Sequence, residues 1–176
     1  MEHVVLPTAR VAAPLEGYRP ELEPFHPSAS HRMDMAALLT MLDELSFRSM
    51  LDVGHRTGLV VREARERHPG RRIDGVDRFD FGAGEAARRL RRRYDVITAV
   101  HTLNQATNLD RAAANLADHL TAGGHLLIVQ STPASAGLGV KYLDPRELDL
   151  ALSPHGLRRM RRLEYGNELL VYRKDG

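Results

Sequence analysis

The sequence contains no cysteine, and aromatic residues make up only 5% of its 176 residues. Without thiols, disulfides, thiolate-bound metals and a cysteine nucleophile are all excluded. No apolar run approaches the length needed to span a bilayer, and the stretch after Met1 lacks the charged, apolar and small-residue order of a signal peptide. A cytoplasmic location without a membrane partner is therefore expected. The shortage of aromatics also bears on two arginine clusters, Arg88, Arg89, Arg91, Arg92 and Arg93, and Arg158, Arg159, Arg161 and Arg162. With no rings interleaved to stack bases, and a net charge of only +2, these read as a solvated helix and an exposed strand rather than a nucleic-acid surface.

What remains is ordinary for one globular domain: 43% hydrophobic and 27% charged residues. Prolines at positions 7, 14, 20, 24 and 27 break any period in residues 1–30, which read as a Pro-rich N-terminal arm. Residues 31–176 read as a single domain. Apolar residues between Met33 and Leu45 recur at helical spacing, with Ser30 as a candidate cap. Short apolar runs at Ser49–Val53, Arg72–Val76, Asp95–Val100 and His125–Gln130 have the character of buried parallel strands. Helical periods separate them at Gly58–His68 and Leu109–Leu120, the second expected to stop at Gly123-Gly124. A loop from Phe79 and a short basic helix at Glu85–Arg93 are expected between the second and third strands. Ser131–Gly139 is small and Gly/Ser/Pro-rich, a loop. Asp144-Pro145 opens a further helix, with Asp144 as its cap. Leu157–Leu163 and Leu169–Arg173 close the chain as an antiparallel hairpin. Strands alternating with helices predict an α/β fold, a doubly wound, mostly parallel sheet of Rossmann type with a C-terminal antiparallel hairpin.

This order of motifs resembles the class I S-adenosylmethionine-dependent methyltransferases over residues 33–173. Leu51-Asp52-Val53-Gly54-His55-Arg56-Thr57-Gly58 is similar to the family's first motif, commonly L-D-V-G-C-G-T-G. Gly75-Val76-Asp77 matches the end of its second strand, where the family places an acid on the ribose hydroxyls. Tyr94-Asp95-Val96-Ile97, followed by His101-Thr102-Leu103-Asn104, resembles the fourth-strand motif. Leu120 to Leu126 resembles the L-x-P-G-G-x-L before the fifth strand. The resemblance implies S-adenosylmethionine as cofactor and assigns Asp52, Gly54, Arg56, Gly58, Asp77 and Val100 to its side of the crevice. The general rule for open parallel sheets agrees, since ligands lie at the carboxyl ends of the strands where the strand order reverses.

Two features depart from the family pattern. Arg56 stands where a glycine would let the backbone approach the cofactor. Three placements are open to its side chain: outward into solvent, into the pocket, or against an anionic group of some other ligand. Between Asp77 and Tyr94 lie only residues 78 to 93, whereas a strand–helix–strand unit takes about thirty. The family's third strand is therefore expected to be missing, leaving a sheet edge that could recruit a second copy or another chain. Methyl transfer to a hydroxyl is helped by a general base, and His101 and His55 are the candidates. No metal site is expected. The acceptor is expected to be a small molecule, in keeping with bacterial specialised metabolism. Neither an N-P-P-Y nor a D-P-P-Y sequence follows Val100, and the covalent route to pyrimidine C5 needs a cysteine. The alternative reading is a protein that kept the fold without the cofactor, as a non-catalytic partner or a cofactor-independent cyclase or isomerase.

Overall fold

Six strands assemble into one sheet in the computed structural model, which describes residues 29–54, 58–76, 92–135 and 141–176. The strands are β1 (Ser49–Val53), β2 (Arg72–Val76), β3 (Tyr94–Val100), β4 (Leu120–Ser131), β5 (Leu157–Glu164) and β6 (Asn167–Lys174). The helices are α1 (Ala29–Glu44), α2 (Leu59–Arg67), α3 (Leu109–Asp118) and α4 (Pro145–Leu152). Spatial order is β2-β1-β3-β4-β6-β5. The first four strands are parallel, and β6 runs antiparallel to both β4 and β5. Strand order reverses between β1 and β3, so the switch point lies at their shared carboxyl end. On the other side of β1 the outermost strand among the described residues is β2.

Period-two alternation along the central strands sorts their side chains into two cores. Leu51, Ile97, Leu126, Ile128 and Leu170 pack with Ala113 and Leu116 of α3 and Leu148 and Leu152 of α4. Met50, Val96, Leu127, Val129 and Leu169 pack with Leu38 and Leu42 of α1 and Val60 and Ala64 of α2. Asp144 caps α4 as its residue type predicts, its Oδ1 accepting from the Arg146 backbone N–H at 2.8 Å, with Pro145 in the first turn. Among the described residues no helix is long and apolar enough to cross a membrane.

Two local expectations are corrected. α1 begins at Ala29, so Ser30 lies inside the first turn instead of capping it from upstream. The Gly123-Gly124 pair does not end a helix, because α3 gives way to β4 at Leu120. The glycines lie within β4, where the β3–β4 register shifts between Tyr94 and Val96. Gly123 has φ 73°, and a Cβ on Gly124 would sit 2.9 Å from the Thr121 carbonyl oxygen and 3.0 Å from that of Asp95. Glycine is thus demanded by a bulge, which brings two backbones too close for a side chain. Gly124→Ala is expected to cost about 1–3 kcal/mol, read as a lower denaturation midpoint at unchanged slope. The loop expected from Phe79 and nearly all of the helix expected at Glu85–Arg93 lie outside the described residues.

The second arginine cluster is occupied by carboxylates. Arg158 pairs with Asp175 at 3.2 Å, Arg159 with Asp149 at 3.0 Å, and Arg161 with Glu44 at 2.6 Å. Arg162 pairs with both Glu164 and the fully buried Glu168. Gln130 donates to Glu168 at 2.6 Å and to the Leu143 carbonyl at 2.7 Å. These bonds tie the chain entering α4 to the carboxyl end of β4.

Candidate functional site

The carboxyl end of β1 is a turn that only glycine can make. Gly54 has φ 79°, and its N–H donates to the Val76 carbonyl at 2.8 Å, joining the ends of β1 and β2. From the other side, the Thr102 hydroxyl lies 3.0 Å from the carbonyl oxygens of both Val53 and Val100. A Cβ on Gly54 would stand 2.4 Å from that hydroxyl oxygen, far inside van der Waals contact. Beneath the turn, Asp52 is 1% exposed and accepts from the Thr98 hydroxyl at 2.6 Å. Burial raises its pKa to about 7, against the opposing pull of the Thr98 hydrogen bond. Gly58, with φ 73°, opens α2. His55, Arg56 and Asp77, the other residues assigned to this end of the sheet, lie outside the described residues.

The carboxyl end of β3 carries the ionisable centre. Val100 is half-buried and packs on the α1 side of the sheet. His101 follows at φ 50°, the only non-glycine residue with positive φ among those described. Its N–H donates to the Val129 carbonyl at 2.8 Å, and its own carbonyl accepts from the Gln105 side chain at 3.0 Å. These bonds hold a backbone conformation that histidine seldom adopts. The imidazole Nε2 meets Asp34 Oδ2 at 2.9 Å, with 28% of the histidine side chain exposed.

Asp34 comes from α1, is 3% exposed, and is the hub of the site. Its Oδ1 accepts from the Tyr165 hydroxyl at 2.9 Å and from Asn167 Nδ2 at 2.9 Å, and Nδ2 lies 3.1 Å from Oδ2. Asn167 also reaches the Ser30 hydroxyl at 3.0 Å, and its Oδ1 accepts from Ser135 at 2.8 Å. Burial alone would raise the Asp34 pKa, but hydrogen bonds from His101, Asn167 and Tyr165 outweigh it and hold the carboxylate below its ordinary range. In turn, burial and the neighbouring Asp34 charge push the Tyr165 hydroxyl upward, so it stays protonated and donates. Asn104, in the short turn Leu103–Gln105 after β3, keeps its Oδ1 buried without a hydrogen-bond partner among the described residues.

The structure therefore brings together Gly54, Val100 and His101 through Thr102, as the strand-end rule predicts. It adds Asp34, Tyr165 and Asn167, which carried no motif. Asp34 lies 67 residues from His101 in sequence and 133 from Asn167, too far for any local pattern to link them. No group of three or more potential metal ligands occurs among the described residues.

A mostly parallel sheet whose order reverses between β1 and β3, closed by an antiparallel strand pair, is a Rossmann-like methyltransferase fold. The methyltransferase domain family matches residues 28–167, and the chain belongs to it. The N-methyltransferase NodS from Bradyrhizobium japonicum WM9, solved with S-adenosylhomocysteine, is similar at 15% identity and TM-score 0.60, over 96% of this chain and 97% of that one. An O-methyltransferase family protein from Burkholderia thailandensis is similar at 14% identity and TM-score 0.62, over 96% of this chain and 66% of that one. Human N-acetylserotonin methyltransferase in complex with S-adenosylmethionine is similar at 15% identity and TM-score 0.59, over 85% of this chain; the match spans 57% of that enzyme's length. No curated protein sequence matches significantly.

Proposed function

We propose that this protein transfers a methyl group from S-adenosylmethionine to a hydroxyl group of a small molecule, with His101 as the group that takes the hydroxyl proton. The observation that carries this reading is the His101–Asp34 pair at the end of β3, joined through Thr102 to the Gly54 turn at the switch point. The described residues fit the cofactor. Gly54 makes a left-handed turn at the strand end, and Asn104 Oδ1 is an acceptor without a partner among the described residues. The S-adenosyl ligands named for NodS and for the human enzyme are in keeping with it.

When bound, the cofactor supplies a sulfonium methyl carbon, open to in-line attack, whose bonding electrons stay on sulfur as the carbon–sulfur bond breaks. Gly54 and Gly58 would shape the turn that faces it, both in the left-handed conformation, and Val100 lines the same edge. Asp52 acts from beneath, by stiffening the turn. Asp77 is proposed to accept from the ribose hydroxyls, with His55 and Arg56 at the mouth of the turn. His101 orients the acceptor hydroxyl, holds its proton as the new carbon–oxygen bond forms, and returns it to water.

Calorimetric titration with S-adenosylmethionine and S-adenosylhomocysteine should give saturable heats with both. Absence of heat and of any thermal shift at millimolar ligand would sink the proposal. It would favour instead a methyltransferase fold without cofactor, as a non-catalytic partner or a cofactor-independent cyclase or isomerase. Arg56→Gly sharpens the result, since binding gained only in that variant would mean that the arginine closes the pocket.

A further inference from the structure

Most of the polar clusters outside the glycine turn have structural work that accounts for them. Glu168, Gln130 and Arg162 satisfy one another while anchoring Leu143. Asp95 binds the backbone N–H groups of Arg48 and Ser49 at 2.8 and 3.0 Å, and Asp74 pairs with Tyr94 and Arg72 at 2.8 Å each. Asp95 lies at the end of the sheet away from the crevice, and Asp74 lies in the middle of β2 in register with Leu51. Asp34 differs, because one of its partners is the imidazole at the switch point.

We infer that Asp34 is a positioning residue that fixes His101 as the Nε2–H tautomer, so that Nδ1 is the nitrogen that accepts a proton. A carboxylate offers about four acceptor positions and no donor. Here they meet Tyr165, Asn167 at both oxygens, and His101. The hydrogen of the His101 contact must therefore sit on Nε2, and in a neutral ring the lone pair is then on Nδ1. Nδ1 has no hydrogen-bond partner among the described residues. The carboxylate cannot turn away, because Tyr165 and Asn167 hold it from the β5–β6 hairpin and Ser135 holds Asn167 in turn. Tyr165 and Asn167 would suffice for a merely structural acid. The fourth contact, to a half-exposed histidine held at φ 50°, is what a structural role leaves unexplained. The proton-accepting role rests on the methyltransferase reading, whereas the tautomer does not.

Two-bond proton–nitrogen spectra of 15N-histidine protein at neutral pH test this directly and need no substrate. The wild type should show His101 with hydrogen on Nε2 and an unprotonated Nδ1. In Asp34→Asn the amide oxygen keeps Tyr165 and Asn167 while its NH2 faces the ring, so the tautomer should invert to Nδ1–H. Where methyl transfer is measured, the same variant should lose roughly 10²–10⁴-fold in kcat with little change in KM. A wild-type ring protonated on Nδ1, alone or on both nitrogens, overturns the inference, and so does an Asp34→Asn spectrum identical to wild type. If the variant does not fold, the wild-type spectrum decides alone. Failure to bind S-adenosylhomocysteine overturns the methyltransferase reading and leaves the tautomer assignment to the spectra.

Discussion

Asp52→Asn is expected to make the protein progressively more stable as pH rises from about 4 to about 7 and to hold that gain above it. The Asp52 carboxyl is buried under the Gly54 turn with one hydroxyl donor, and its folded pKa is about 7 against an ordinary 3.8. Between those values the unfolded chain ionises this group while the folded chain keeps its proton. Stability therefore falls as pH rises through that window, by about 1.4 kcal/mol per unit at most. Below the window both states are protonated, and above it both are ionised, with the burial cost fully present. Asparagine has the shape of the neutral acid and cannot ionise. The advantage of the variant should grow from near zero at the acid end to as much as about 4 kcal/mol on the alkaline plateau. Urea unfolding at several pH values measures the difference; a gap that does not change with pH would refute the buried-acid account.

The second large effect is expected at Gly54. Alanine there must adopt φ 79° and place its Cβ 2.4 Å from the Thr102 hydroxyl oxygen and 2.7 Å from its methyl carbon. Left-handed backbone costs a residue with a Cβ about 1–2 kcal/mol, and the steric overlap adds about 1–3 kcal/mol. Gly54→Ala should thus lose roughly 2–5 kcal/mol and any affinity for S-adenosylhomocysteine. The two parts can be separated with Thr102→Ala, which removes both offending atoms. In that background the glycine replacement should cost only the backbone share, so the pair should be strongly non-additive in a double-mutant cycle. Additive losses would mean that Thr102 is not what confines the turn.

These two residues also illustrate what was legible in the sequence. Asp52 and Gly54 stand in a motif whose parts are adjacent, and the strand before them announces itself by an apolar run. His101 followed from the rule that ligands gather at strand ends. At Gly123-Gly124 a glycine pair after an apolar period signals a helix stop as readily as a strand irregularity, and only the pairing with β3 distinguishes them. Ser30 falls inside the first turn because α1 begins at Ala29, one turn ahead of the apolar stripe. Asp34 could not have been found at all. It is one acid on a helix whose apolar stripe explained the rest, and its partners come from β3 and from the far hairpin. Contacts of that separation leave no trace in spacing.

The same separation sets the order in which the protein can be completed. As the chain is made from its amino end, the glycine turn and the first four strands are available before the hairpin that carries Tyr165 and Asn167. Until that hairpin folds back beside β4, two of the three partners of Asp34 do not exist. A nascent or truncated chain ending before residue 165 has the cradle but not the held imidazole. The full set of partners around Asp34 therefore arrives with the last two strands, which also bring Leu169 and Leu170 into the two cores.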